Sequence, residues 1–189
     1  MAESIQDQIK HSIQAAEGLY HRLVLLVGET GSGKTGVLRE VAEELGSSVV
    51  NVNLALSGEL LELTAKQRSL RLPGILEEVI RGEGRGASKE NQILAPNPSS
   101  LAPVVVLDNI EILFEKDLQQ DPLRLLQSIS RNRAVVASWN GIMKSGRLLY
   151  AETGHPEYRS YDSVDALIVG MDGTATVDSA KNNREAGQA

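Results

Sequence analysis

The sequence predicts an α/β fold with a mostly parallel sheet flanked by helices, and three observations carry that prediction. Continuous aliphatic runs, "LVLLV" at Leu23–Val27 and "VVVL" at Val104–Leu107, have the pattern of strands buried on both faces. Between such runs, apolar residues recur at helical spacing. A glycine-rich loop, "GETGSGKT" at Gly28–Thr35, joins the first run to a helix and fits the G-x-x-x-x-G-K-T pattern of a P-loop.

The elements follow in order. Ile5, Ile9 and Ile13 recur every four residues, with Ser4 as N-cap and Gly18 as stop, which predicts an amphipathic opening helix packed on the domain. After the first strand and the glycine loop, a helix runs to about Leu45, and "SVVNVNL", Ser48–Leu54, reads as the second strand. Apolar residues keep helical spacing from Ser57 to Arg81, where Pro73 divides them into two pieces. "GEGRGASKENQILAPNPSSLAP", residues 82–103, is rich in chain breakers and reads as a long mobile loop, because the motifs on its two sides must meet in one site. Val104–Asp108 is the third strand. "DPLRLLQSIS" predicts a helix with Asp121 as N-cap and Pro122 in its first position. "AVVASW", Ala134–Trp139, is the fourth strand, and Leu148–Ala151 and Ala166–Met171 are weaker candidates. From Asp172 onward the chain is small and polar and reads as a disordered tail, so residues 1–171 are expected to form a single domain.

Composition narrows the chemistry. A chain of 189 residues suits one core and one site. Net charge of −6 repels phosphate backbones, so any DNA contact is expected to be indirect. The absence of cysteine excludes disulfides, thiolate nucleophiles and cysteine-ligated zinc, and the three histidines are scattered. Aromatics at 3% leave the core to aliphatic residues and argue against a base-stacking platform. The opening "MAESIQDQIKHSIQ" is too polar for a signal peptide, and no apolar run nears the roughly 20 residues of a bilayer span; the expectation is a cytoplasmic protein without a membrane role.

The expected nucleotide cradle comprises Gly28, Glu29, Thr30, Gly31, Ser32, Gly33, Lys34, Thr35 and Gly36. Backbone N–H groups converge there on the β-phosphate at a positive helix end. Lys34 would bridge the β- and γ-oxygens of ATP, and Thr35 would offer its hydroxyl to Mg²⁺. Glu29 is expected to face outward. Asp108, at the carboxyl edge of the sheet, is the second magnesium candidate.

The position after it is Asn109, where a glutamate would activate water; an amide can orient water but not take its proton. Glu111 is the substitute base if the chain turns at once, although two residues along an α-helix swing the side chain roughly 200° around the axis. Asn140 in "SWNG" is either a sensor of the γ-phosphate or part of an Asn-Gly turn. Arg131 and Arg133 in "SRNR" are candidate arginine fingers for a neighbouring subunit, or helix-end cations. "HPEYRSY", His155–Tyr161, reads as a polar-faced strand or turn, and Lys66, Arg68 and Arg71 as a solvated basic face.

The chain resembles the BrxF family, the small P-loop NTPases of type 3 BREX bacteriophage-defence clusters. The likeness rests on "LVLLVGETGSGKT", "NVNLALSGELLELT", "VVVLDNIEILF", "DPLRLLQSISRNR", "VASWNG" and "GHPEYRSY", which cover most of Leu23–Tyr161. It implies an AAA+/ASCE-like core in which the fourth strand lies between the P-loop and aspartate strands and Asn140 is the sensor. It also implies ATP and Mg²⁺ as ligands, with a large ATPase, a DNA methyltransferase and a phosphatase-like protein as partners. A helical lid is not evident after Trp139, which leaves a homo-oligomer an open question. The first functional reading is a slow ATPase in a defence complex. The second is a regulator that binds nucleotide without turnover, and the third a small-molecule kinase using Arg81 and Arg85 on the phosphates.

Overall fold

The computed structural model describes residues 3–82 and 104–176. Its helices are α1 (Ile5–Ala16), α2 (Lys34–Glu44), α3 (Val52–Leu61), α4 (Ala65–Ile80) and α5 (Pro122–Ile129). Its strands are β1 (Leu23–Gly28), β2 (Val49–Asn51), β3 (Val105–Asp108), β4 (Val135–Lys144), β5 (Arg147–Tyr150), β6 (Arg159–Tyr161), β7 (Leu167–Gly170) and β8 (Ala175–Thr176). The sheet order is β2-β3-β4-β1-β7-β8, and pairing is parallel from β2 through β7. β4 therefore lies between β1 and β3, with Asn140 level with Gly28.

Alternation along β1 explains its unbroken apolar run. Val24 and Leu26 join one core with Ile9, Ile13, Leu38 and Val41 of α1 and α2, while Leu23, Leu25 and Val27 join the other with residues of α3, α4 and α5. Both faces of the strand are covered, so no polar residue alternates in. Ser4 and Asp121 cap α1 and α5 as their sequences predict. Among the described residues only strands follow α5, and no helix is long and apolar enough to cross a membrane.

Several boundaries differ from expectation for identifiable reasons. The second strand stops at Asn51, whose side chain accepts the Leu54 N–H and starts α3; Val52, Leu56 and Leu60, four apart, are then buried on one helical face. Pro73 does not break its helix but lies inside α4, and the break falls at residues 62–64, where Thr64 and Gln67 form a capping box. Lacking an N–H, Pro73 leaves the Ser69 carbonyl without its helical donor. Gln120 Nε2 donates to that carbonyl at 2.8 Å.

Asn140–Gly141 is not a turn: β4 runs on to Lys144, reverses at Ser145 and Gly146, both at positive φ, and pairs with β5 and then β6 as an antiparallel ribbon. Gly141 permits this, because a Cβ there would lie 1.8 Å from the Leu149 carbonyl oxygen, which Trp139 Nε1 reaches at 3.0 Å. The few aromatics are concentrated beneath the ribbon, where Phe114 stacks on Tyr150 and both pack against Trp139. Residues 172–176, expected to begin the tail, turn back to form β8 against β7. The rest of the expected tail, from Val177, and residues 83–103 of the expected loop lie outside the described residues.

Candidate functional site

The glycine loop leaves β1 at Gly28 and enters α2 at Lys34. Gly31 and Gly33 have φ of 79° and 92°, the left-handed region that a side chain at either position would disfavour. Glu29, Thr30, Gly31, Ser32 and Gly33 are exposed, so ligand phosphates can approach the loop, and Gly36 N–H is already bonded to Gly33 O. Glu29 turns to solvent as expected. Lys34 is the exception, being only 6% exposed. Its Nζ donates to the carbonyls of Gly28 (2.8 Å) and Glu29 (2.7 Å) and to Ser32 Oγ (3.3 Å). Burial lowers its pKa below the ordinary 10.5, with the charges of Asp108 and Glu111 opposing the shift.

Thr35 Oγ1 donates to Asp108 Oδ2 at 2.6 Å, joining the helix after the loop to the end of β3. Asp108 is 4% exposed. A hydroxyl and one carboxylate are hard oxygen donors suited to Mg²⁺, which takes few protein ligands and completes its shell with phosphate and water. Among the described residues no group of three or more His, Cys, Asp or Glu could hold a metal alone, so an ion here would depend on the nucleotide.

The chain then makes a turn that the sequence pattern does not reveal. Asn109 sits at φ 51°, a conformation that asparagine tolerates better than glutamate, and its carbonyl accepts the Asn53 N–H at 2.9 Å. A 3-10 turn, Glu111–Phe114, follows and anchors Leu113 and Phe114 in the core. The roughly 200° swing expected of an α-helix does not apply. Instead the Glu111 carboxylate comes back across the sheet edge, where it accepts from Asn140 Nδ2 and from Asn53 Nδ2 (3.0 Å). Asn53 Oδ1 in turn accepts the Ile112 N–H at 2.8 Å.

Asn53 escaped the sequence reading because its segment read as a strand; the signal was Asn51 as a helix cap, which puts Asn53 in the first helical turn. A cleft of about 270 Å³ opens beside Glu111 and is lined by Asn53, Ser57, Glu115 and Glu157.

Other candidates lie elsewhere. The Arg133 guanidinium pairs with Glu77 at 3.1 Å, and Arg131 stands over the Tyr20 ring at 5.3 Å. Both precede β4 at its amino end, on the order of 20 Å of strand from Asn140, so neither reaches this chain's own site. Arg68 caps α3 by donating to the carbonyls of Leu60 and Leu63, and Tyr161 O–H donates to Asp121 at 3.3 Å. In "HPEYRSY" only Glu157 borders the cleft.

A buried lysine inside a glycine loop, a Thr–Asp pair at its exit and a carboxylate held opposite by two amides have the form of a P-loop nucleotide-binding site. The chain belongs to the ATPase family associated with various cellular activities (AAA), whose model matches residues 24–136. Among solved structures it is similar to that of C. elegans PCH-2, with a TM-score of 0.39 and 15% identity over 88% of this chain and 39% of that one. This chain thus spans about two fifths of that structure's length. No curated protein matches it.

Proposed function

We propose that this protein binds ATP with Mg²⁺ and hydrolyses it slowly, with Glu111 as general base, as a nucleotide-driven component of a bacterial phage-defence complex. The observation that carries the catalytic part is the Glu111 carboxylate, fixed by Asn53 and Asn140 beside the Lys34 and Thr35–Asp108 end of the cradle. Lys34 would exchange the Gly28 and Glu29 carbonyls for β- and γ-phosphate oxygens. Glu111 would take a proton from water as its oxygen attacks the γ-phosphorus, and the bond to the β-phosphate oxygen breaks to release ADP. Mg²⁺ bound by Thr35 and Asp108 would neutralise charge on the phosphate oxygens.

Slow turnover is expected because Arg131 and Arg133 stand at the amino end of β4, leaving a second copy or a partner to supply a cation. A competing reading, a regulator that holds ATP without turnover, draws support from the same site: both oxygens of the Glu111 carboxylate already accept an amide N–H, one from Asn53 and one from Asn140.

Steady-state phosphate release, taken across protein concentration, separates the two. We expect turnover that Lys34→Ala abolishes and that rises per molecule if copies complete one another's sites. ATP bound without release would establish the regulator.

The defence role rests on the sequence resemblance to the BrxF family, with a large ATPase, a DNA methyltransferase and a phosphatase-like protein as partners. In cells carrying such a complete gene cluster, Lys34→Ala should raise phage plating to the unprotected level. Unchanged protection would sink this role.

A further inference from the structure

The site has a direction. Asp108, Glu111 and Asn140, the groups suited to the terminal phosphate and its metal, all lie on the β3–β4 side of β1. A triphosphate wrapped around the loop with its γ-end there must send its nucleoside out on the other side, towards β7.

The residue waiting on that side is Met171, directly after β7. Its N–H donates to the Val27 carbonyl at 2.8 Å, fixing its backbone to the end of β1. Its side chain then runs along the loop. Met171 Cγ and Cβ lie 2.7 and 3.0 Å from where a Cβ on Gly28 would stand, and Cε lies 3.9 Å from the equivalent point on Gly33. Gly28 therefore has no room for a side chain, because Met171 and the Ser32 hydroxyl, 2.6 Å from the same point, fill that space. The methionine also packs against the core that α1 and α2 share with β1, and remains only partly buried.

The turn that follows is closed on itself: Asp172 Oδ1 accepts the Thr174 N–H at 3.0 Å and the Thr174 hydroxyl at 2.6 Å.

We infer that Met171 is a positioning residue for the nucleoside of ATP, its thioether forming an apolar wall from Gly28 to Gly33 against which the base or ribose packs. A polarisable thioether suits the face or edge of an aromatic ring. This inference rests on the proposed nucleotide occupancy of the loop.

The test compares ATP with inorganic tripolyphosphate, both with Mg²⁺, on the full chain carrying Met171→Ala or Met171→Leu. Tripolyphosphate occupies the cradle but has no nucleoside. Met171→Ala should weaken ATP up to about tenfold, the range of a methionine–aromatic contact, with a raised KM and little change in kcat. Tripolyphosphate affinity should not change, and Met171→Leu should restore most of the ATP affinity. Equal weakening of both ligands would make Met171 a mere prop of the loop, and no weakening of either would remove its role. Both outcomes overturn the inference while leaving nucleotide binding intact. Wild-type protein that binds neither ligand would instead overturn the occupancy on which the inference stands.

Discussion

Glu111→Gln is the most informative single change in this protein. It preserves the side chain's length and removes the proposed base. The carboxylate accepts one N–H from Asn53 and one from Asn140, and the introduced amide has oxygen for only one of them. Asn53 cannot reverse its own amide without giving up the Ile112 N–H, so the new oxygen should face Asn53 and the mismatch should fall on Asn140. That mismatch costs about one hydrogen bond, ~1 kcal/mol. It lies away from Lys34 and the loop carbonyls, so ATP affinity should stay within about threefold of wild type. Turnover should fall far more: a positioned general base contributes roughly 100- to 10,000-fold, equivalent to about 3–5 kcal/mol of barrier. Fluorescent-nucleotide titration reads the first quantity and phosphate release the second. Turnover within about twofold of wild type, or affinity and turnover falling by one common factor, would refute the assignment.

Three further expectations follow from the same geometry. Asn109→Glu should not rescue Glu111→Gln, because residue 109 is left-handed; it should also cost about 1 kcal/mol in thermal unfolding, and recovered turnover would show that the base belongs at 109 after all. Gly141→Ala should lower stability by at least ~2 kcal/mol, since the added methyl would meet the Leu149 carbonyl at 1.8 Å; an unchanged melting temperature would contradict the β4–β5 pairing. For Lys34, burial puts the folded pKa below its unfolded value of 10.5. The unfolded chain therefore binds the proton more tightly between the two values, and this residue's contribution to stability rises with pH across that window. ATP binding has the opposite sign because it needs the ammonium: affinity should begin to fall below the ordinary lysine range, and an affinity flat up to that range would contradict the shift.

Much of the fold was legible because its signals are local. The unbroken apolar run of β1, the glycine loop and the Asp121–Pro122 start of α5 each report a backbone state within a few residues. Their structural counterparts lie where expected. The errors arose where a distant partner decides the outcome. Pro73 stays inside α4 because Gln120, far along the chain, supplies the missing donor to Ser69. Ser48–Leu54 alternates like a strand, but a side-chain cap at Asn51 and burial of Leu56 and Leu60 turn its second half into α3.

The site divides in the same way. Lys34, Thr35 and Asp108 could be named from spacing, because the loop motif and the end of an apolar run fix their places. Glu111 could only be a candidate, since its position depends on one left-handed residue. For Asn53 the Asn51 cap could give only its place in the first turn of α3; its role exists only once α3 and the turn after β3 meet. Arg131 and Arg133, expected to serve a neighbouring subunit, lie at the amino end of β4 away from this chain's own loop, so their pattern fixes no role within a single chain.

In the proposed mechanism a left-handed Asn109 moves the water-activating role two residues on, to Glu111. A crystal structure with Mg²⁺ and a non-hydrolysable ATP analogue tests it most directly. The attacking water should lie in line with the γ-phosphate and about 3 Å from the Glu111 carboxylate, with Asn53 and Asn140 still holding that group. A water held by the Asn109 side chain, with Glu111 turned away into the cleft, would contradict it.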